Sequence, residues 1–206
     1  MHSHLTEWAL KIQGIAQAGL TYGKDAYDIE RYQELMEIAA EMIASQSDAT
    51  PDVVQKFVFN DPGYLTPKVE TRAAIFKDGK ILLVHEKDGT WAMPGGWCDV
   101  DQGVGSNAVK ETREETGLEV VADRLIAVQD WRKHNIPDLP CALIRNFVLC
   151  KVIGGSFVPN IETSEARYFG KDELPENLAP HKCTVEQINM CFDANEAGDS
   201  WKTLFD

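Results

Sequence analysis

The sequence predicts an α+β protein, an α/β/α sandwich preceded by a small N-terminal helical domain. Three observations carry that reading. Apolar residues recur at helical spacing as far as Ile43. From Val69 onward the pattern changes to short apolar runs separated by turn residues. Among those runs sits one carboxylate-rich helix flanked by glycine-bearing loops, and a further helix follows the last run.

Leu5, Trp8, Ala9, Ile12, Ile15, Ala16 and Leu20 form the first helical stripe, which stops at Tyr22-Gly23. A second runs through Tyr32, Leu35, Met36, Ala39, Met42 and Ile43, before the polar stretch from Ser45 to Pro51. The short Lys24-Asp25 connection makes the pair a helical hairpin. Two such helices cannot bury both stripes on each other alone. The surplus is expected to meet the next domain or a second copy of the chain, making a homodimer. Asn60-Asp61-Pro62-Gly63 is a turn signal. It divides a helical hairpin domain, residues 1–60, from a second domain, residues 61–206.

Val69 to Phe76, the turn Lys77-Asp78-Gly79-Lys80, and Ile81 to His85 read as a β-hairpin. Further strands are expected at Leu125 to Trp131, Ala142 to Val152 and Ala166 to Phe169. Thr184 with Gln187 forms a capping box that opens a last helix carrying Val185, Ile188, Cys191 and Phe192.

Composition narrows the function. The formal net charge is −13 and there is no Lys/Arg-rich run, which disfavours a long nucleic acid as partner. A small anionic substrate remains compatible, because bound divalent cations can neutralise it. The five cysteines include no Cys-x-x-Cys pair, which argues against a disulfide framework and a thiolate zinc site. There is no apolar run of the roughly 20 residues that a membrane span needs. The start Met1-His2-Ser3-His4 lacks the features of a signal peptide, so the chain reads as cytoplasmic.

The chemistry concentrates between Trp91 and Leu118. Pro94-Gly95-Gly96 forces an irregular turn with closely approachable backbone. A helix then starts between Gly103 and Ser106 and stops at Gly117, a left-handed cap. At about 100° per residue, Glu111, Glu114 and Glu115 share an arc of roughly 100°. Three carboxylates on one side repel each other unless a cation sits among them. Oxygen-only ligands suit a hard ion such as Mg2+ or Mn2+.

This stretch resembles the Nudix signature G-x5-E-x7-R-E-U-x-E-E-x-G-U, where U is a bulky aliphatic residue. Gly96 opens it, Glu111 follows the basic position, Glu114-Glu115 form the acidic pair, and Gly117-Leu118 close it. Gln102 stands where the family has Glu, Lys110 where it has Arg, and Thr112 where an aliphatic residue is usual. The resemblance spans about residues 66 to 200. Tyr22-Gly23-Lys24-Asp25, Tyr27 to Tyr32 and Gly63 to Lys68 extend it, being similar to a subgroup of ADP-ribose or CDP-choline pyrophosphatases.

The resemblance implies metal-dependent hydrolysis of a nucleoside diphosphate linked to another moiety, with Glu111, Glu114 and Glu115 as metal ligands and the Gly95 carbonyl adding one. Glu162 and Glu165 match a late family loop that supplies another acid. Metal-bound carboxylates are poor proton acceptors, so Glu165, just ahead of the Ala166 strand, is expected to be the general base. Glu162 can take the role instead, and Glu114 completes the catalytic set. Arg72 could contact a phosphate or make a surface ion pair. Trp131, Lys133 and His134 combine a stacking platform with two donors, which suits a base or a diphosphate. Two other readings stay open: a non-catalytic nucleotide sensor, prompted by Gln102 and Lys110, and an RNA-processing enzyme. Sequence does not separate ADP-ribose from CDP-choline.

Overall fold

The computed structural model describes residues 4–46, 48–57, 59, 63–135 and 141–206. Asn60, Asp61 and Pro62, the core of the expected turn, lie outside them. The chain forms two compact units. One runs to Pro67 and includes Cys141 and Ala142, and the other carries the remainder from Lys68 onward.

In the first unit, α1 (His4–Tyr22) and α2 (Ala26–Ala44) are the two expected helices. Asp25 starts the second, its carboxylate accepting from the N–H groups of Tyr27 and Asp28 at 3.0 and 3.2 Å. A further helix, α3 (Pro51–Phe57), follows where the sequence shows only the end of a polar stretch. Its proline suits a first helical position, but seven residues are too few to display a periodicity. Ala9, Ala39, Ala40, Ile43, Val54 and Phe59 are buried together. Trp8, Ile15, Tyr22 and Tyr27 remain 56 to 71% exposed.

The second unit comprises β1 (Lys68–Lys77), β2 (Lys80–Glu86), β3 (Trp91–Ala92), α4 (Val104–Thr116), β4 (Leu118–Asp130), α5 (Trp131–His134), β5 (Leu143–Gly155), β6 (Thr163–Phe169), α6 (Val185–Ala197) and β7 (Leu204–Phe205). The β1–β2 hairpin closes through Asp78 (φ 50°) and Gly79 (φ 73°), both left-handed as a two-residue I′ turn requires. Strands run in the order β3-β2-β1-β5-β4-β7, and β6 also pairs with β2. Side-chain alternation splits the core in two. Ala73, Ile75, Leu82, Val148 and Cys150 pack with Ala108 of α4. Ala74, Ile81, Leu83, Phe147 and Leu149 pack with Ile188, Cys191 and Phe192 of α6. The expected α/β/α sandwich is the result.

Several boundaries differ from the sequence reading: β5 runs on to Gly155 rather than stopping at Val152, and Trp131 opens α5 rather than ending a strand. β4 begins at Leu118, well before Leu125, and shifts register against β5 three times. Those irregularities blur the alternation that would have revealed it. β6 begins at Thr163, so Glu165 lies inside the strand opposite His85 rather than on a loop ahead of it. Pairing of β6 with β2 uses backbone groups and extends past the apolar run. Among the described residues, no helix is long and apolar enough to cross a membrane.

Candidate active site

The Pro94-Gly95-Gly96 segment is laid along β1. Ala73 N–H donates to Pro94 O at 2.7 Å, Thr71 N–H to Gly96 O at 3.0 Å, and Cys98 N–H to Val69 O at 2.8 Å. Gly95 has φ +146°, and a Cβ there would stand 2.0 Å from the Thr71 carbonyl oxygen, so the position demands glycine. Beneath the segment, the buried Arg72 donates Nη1 to Met93 O at 3.1 Å and pairs with Glu70. Glu70 also accepts from Arg145 Nε and Nη2, at 3.0 and 2.7 Å. The two guanidinium groups hold the Glu70 carboxyl below its ordinary range despite its burial.

Helix α4 carries the three glutamates across from this segment. It ends at Gly117, left-handed at φ 74°, whose N–H returns to Arg113 O at 2.9 Å. Glu115 is 8% exposed, and its Oε2 accepts the Gly95 N–H at 2.9 Å. Burial pushes its pKa up to about 7. Arg72 and the Gly95 N–H oppose that shift, while Glu111 and Glu86 reinforce it. Glu111 is raised too, first by burial, with Lys110 opposing and Glu114 and Glu162 adding to it. The Lys110 ammonium stands 3.0 Å from both Glu111 and Glu114 and 3.1 Å from Asp99. Among the described residues, no three His, Cys, Asp or Glu side chains are already gathered as a metal cage.

A cleft of about 290 Å³ opens over Glu115, lined by Glu86, Lys87, Asp88, Glu162, Thr163 and Lys182. The Glu162 loop is tied to α4 because Asn160 Nδ2 donates to the Glu115 carbonyl at 2.8 Å and Thr163 Oγ1 donates to the same oxygen.

A family profile for the NUDIX domain matches residues 67–187, across this loop, helix and cleft. The chain belongs to the Nudix family. A second profile, for a UDP-X-like N-terminal oligomerisation domain, matches residues 3–58. The chain is 42% identical over 205 residues to "Putative ADP-ribose pyrophosphatase YjhB" of Bacillus subtilis (strain 168), covering 98% of each. It is 49% identical to a crystal structure of an ADP-ribose pyrophosphatase from Streptococcus suis 89-1591, with a TM-score of 0.63 over 68% of this chain and all of that one. A crystal structure of a UDP-X diphosphatase is 30% identical, with a TM-score of 0.65 over 98% of both chains. The protein is a Nudix hydrolase.

Within this Nudix domain the candidate residues separate into groups. Glu111, Glu114 and Glu115 share α4, although Glu114 is engaged by Lys110 and half exposed. Gly95 meets Glu115 through its N–H. Glu162 lines the cleft with Glu115, whereas Glu165 is bound by Arg167 Nε and Nη2 at 2.9 and 2.5 Å. Arg72 faces inward to Glu70 and Met93 rather than outward. Trp131 is 1% exposed, leaving no open ring face, and its indole N–H donates to His181 O at 3.0 Å. Lys133 and His134 border a second cleft, about 340 Å³, with Gln129, Thr184, Glu186 and Gln187. His134 Nε2 lies 2.8 Å from Asp206 Oδ2.

Sequence reasoning passed over Asn160, Thr163, Glu86 and Lys182. Asn160 had a readable signal, since its Oδ1 accepts from the Glu162 and Thr163 N–H groups at 2.8 and 2.9 Å. That is the local turn in which an asparagine side chain bonds the backbone two residues on. Lys182 and Glu86 are 96 residues apart, and only the fold unites them.

Proposed function

We propose that this Nudix hydrolase uses Mg2+ or Mn2+ to split the diphosphate of a nucleoside diphosphate linked to a second moiety, of the ADP-ribose or CDP-choline type. The products are a nucleoside monophosphate and a phosphorylated second moiety. Glu115 carries the reading. It is a buried carboxylate fixed by the Gly95 N–H, with its pKa raised by burial and further by Glu111 on the same helix face. Crowded carboxylates of this kind favour a cation, and an oxygen-only donor set favours a hard divalent one.

Glu111, Glu114 and Glu115 would hold the ion, with the Gly95 carbonyl as a further donor, and the Lys110 ammonium would yield its place. Bound there, the ion would offset the diphosphate charge and lower the pKa of the attacking water. Glu162 is the better placed of the two candidate bases, because it lines the cleft while Glu165 is engaged by Arg167. It would take the water's proton as the new P–O bond forms and the bridging P–O bond breaks. Arg72 and Trp131 are proposed to act from inside the fold, holding Met93 and His181 in place. Lys133 and His134 are proposed to meet the base or second moiety in the neighbouring cleft. Thr184 of that cleft follows Lys182 of the first by two residues. The N-terminal helices, with their exposed aromatic residues, are proposed to pair two copies of the chain.

ADP-ribose leads the substrates because relatives named for it resemble this chain closely. A panel of ADP-ribose, CDP-choline, UDP-sugars and NAD-capped RNA, with either metal, tests the reading through the phosphorylated products released. Turnover of ADP-ribose or CDP-choline is the expected result, and activity on none of the four would refute it.

A further inference from the structure

Among the described residues, the cleft over Glu115 is walled by four acids, Glu86, Asp88, Glu115 and Glu162, and by two cations, Lys87 and Lys182. A diphosphate entering it meets a surplus of like charge, which divalent ions on α4 would relieve only locally. The two lysines are not equivalent. Lys87 is an exposed residue beside Asp88, just beyond the end of β2. The Lys182 side chain is 30% exposed and paired with Glu86, itself 15% exposed.

The backbone that carries Lys182 is fixed on both sides. Lys182 N–H and Cys183 N–H both donate to Ala179 O at 2.9 Å, and Ala179 N–H donates to Trp91 O at 2.9 Å. The preceding carbonyl, of His181, accepts from Trp131 Nε1 at 3.0 Å and from Arg145 Nη2 at 2.9 Å. Arg145 is fully buried against Glu70, so the β1–β5 core anchors the lysine's base. A flexible four-carbon stem on an immobile base delivers its charge over a short arc. That arc opens into the cleft shared with Glu115 and Glu162.

We propose that Lys182 is a substrate-binding residue whose ammonium leaves Glu86 to grip a phosphate oxygen of the bound diphosphate. This rests on the functional reading above and names the contact through which the chain itself recognises the diphosphate. In the free protein Glu86 keeps the ammonium neutralised. When the diphosphate enters, the lysine exchanges one anionic partner for another, and the Glu86 carboxylate it leaves adds to the negative charge of the cleft, a cost that Glu86→Gln removes.

Two substitutions with opposite expected signs test the proposal, read at saturating Mg2+. Calorimetry follows binding of methylenediphosphonate, a diphosphate that cannot be hydrolysed, and kinetics follow ADP-ribose. Lys182→Met is expected to weaken diphosphonate binding about tenfold or more, the scale of a lost charge-assisted hydrogen bond. It should also raise KM by a similar factor with a smaller fall in kcat. Glu86→Gln removes the same ion pair but frees the lysine, and is expected to bind the diphosphonate at least as tightly as the unaltered chain. If both substitutions weaken binding equally, the pair is structural and the proposal is overturned. Unchanged binding and KM in Lys182→Met overturn it as well. Should the unaltered chain hydrolyse none of the panel, the functional reading fails, and the diphosphonate measurements still decide Lys182.

Discussion

The backbone N–H of Gly95 donates to Oε2 of Glu115 at 2.9 Å, joining a loop laid along β1 to the last turn of α4, 20 residues later. The contact orients the most buried of the three helix glutamates and couples it to a loop whose geometry only glycine permits.

Replacing Glu115 with Gln is expected to cut turnover by about 100-fold or more while leaving the fold intact, since an amide oxygen can still accept the Gly95 N–H. Because burial disfavours the charged carboxylate, metal-free Glu115→Gln should melt no lower than the unaltered chain at pH 8. Circular dichroism melts and steady-state rates check both statements.

The raised pKa of Glu115 also sets a pH dependence for the metal-free protein. With the folded value near 7 and the ordinary carboxylate value near 4.5, the folded state holds its proton more tightly. The stability so gained is complete below about pH 4.5 and disappears as pH rises through 7, a change on the order of 3 kcal/mol. Glu111 shifts in the same direction. Urea unfolding between pH 5 and 8 in a chelator should show this decline, and Glu115→Gln should flatten it.

Gly95→Ala is expected to damage folding and activity together. The added Cβ meets the Thr71 carbonyl at 2.0 Å, and φ +146° alone costs a side chain about 1–3 kcal/mol. Denaturant midpoint and turnover are the measurements, and the mutant should fall in both.

Glu162→Gln is expected to slow turnover by roughly 100-fold, the scale of a lost general base. Glu165→Gln should stay near the unaltered rate, because its carboxylate is committed to Arg167. Parallel kinetics and metal titrations separate the two, and a slow Glu165 mutant beside a normal Glu162 mutant would reverse the assignment.

Legibility in the sequence followed the range of the interactions. The I′ turn at Asp78-Gly79, the capping box of Thr184 and Gln187, and the shared arc of Glu111, Glu114 and Glu115 each depend on residues a few positions apart. All three were readable. Arg72 and Trp131 suggested substrate contacts because the packing that buries both side chains is set by distant parts of the chain. Glu70 lies two residues from Arg72 on the same strand face, but the second guanidinium that completes their network comes from Arg145 on β5. The carbonyl that receives the Trp131 indole belongs to His181, 50 residues on. Lys182 carried no motif at all, and only packing sets it beside Glu86.

Light scattering on the intact chain tests the proposed pairing of the N-terminal helices, where Trp8, Ile15, Tyr22 and Tyr27 are exposed. A dimer is expected, and Trp8→Glu with Ile15→Glu should shift it toward monomer. A monomeric parent chain would contradict the pairing.

The most direct measurement is ADP-ribose turnover by the purified chain with Mg2+ or Mn2+, repeated after chelation, after metal is restored, and with Glu115→Gln. Release of AMP and ribose 5-phosphate that stops on chelation, returns with metal and is lost in the mutant is the expected result. Hydrolysis that persists in chelator, or at an undiminished rate in Glu115→Gln, would contradict the assignment of catalysis to a metal held on α4.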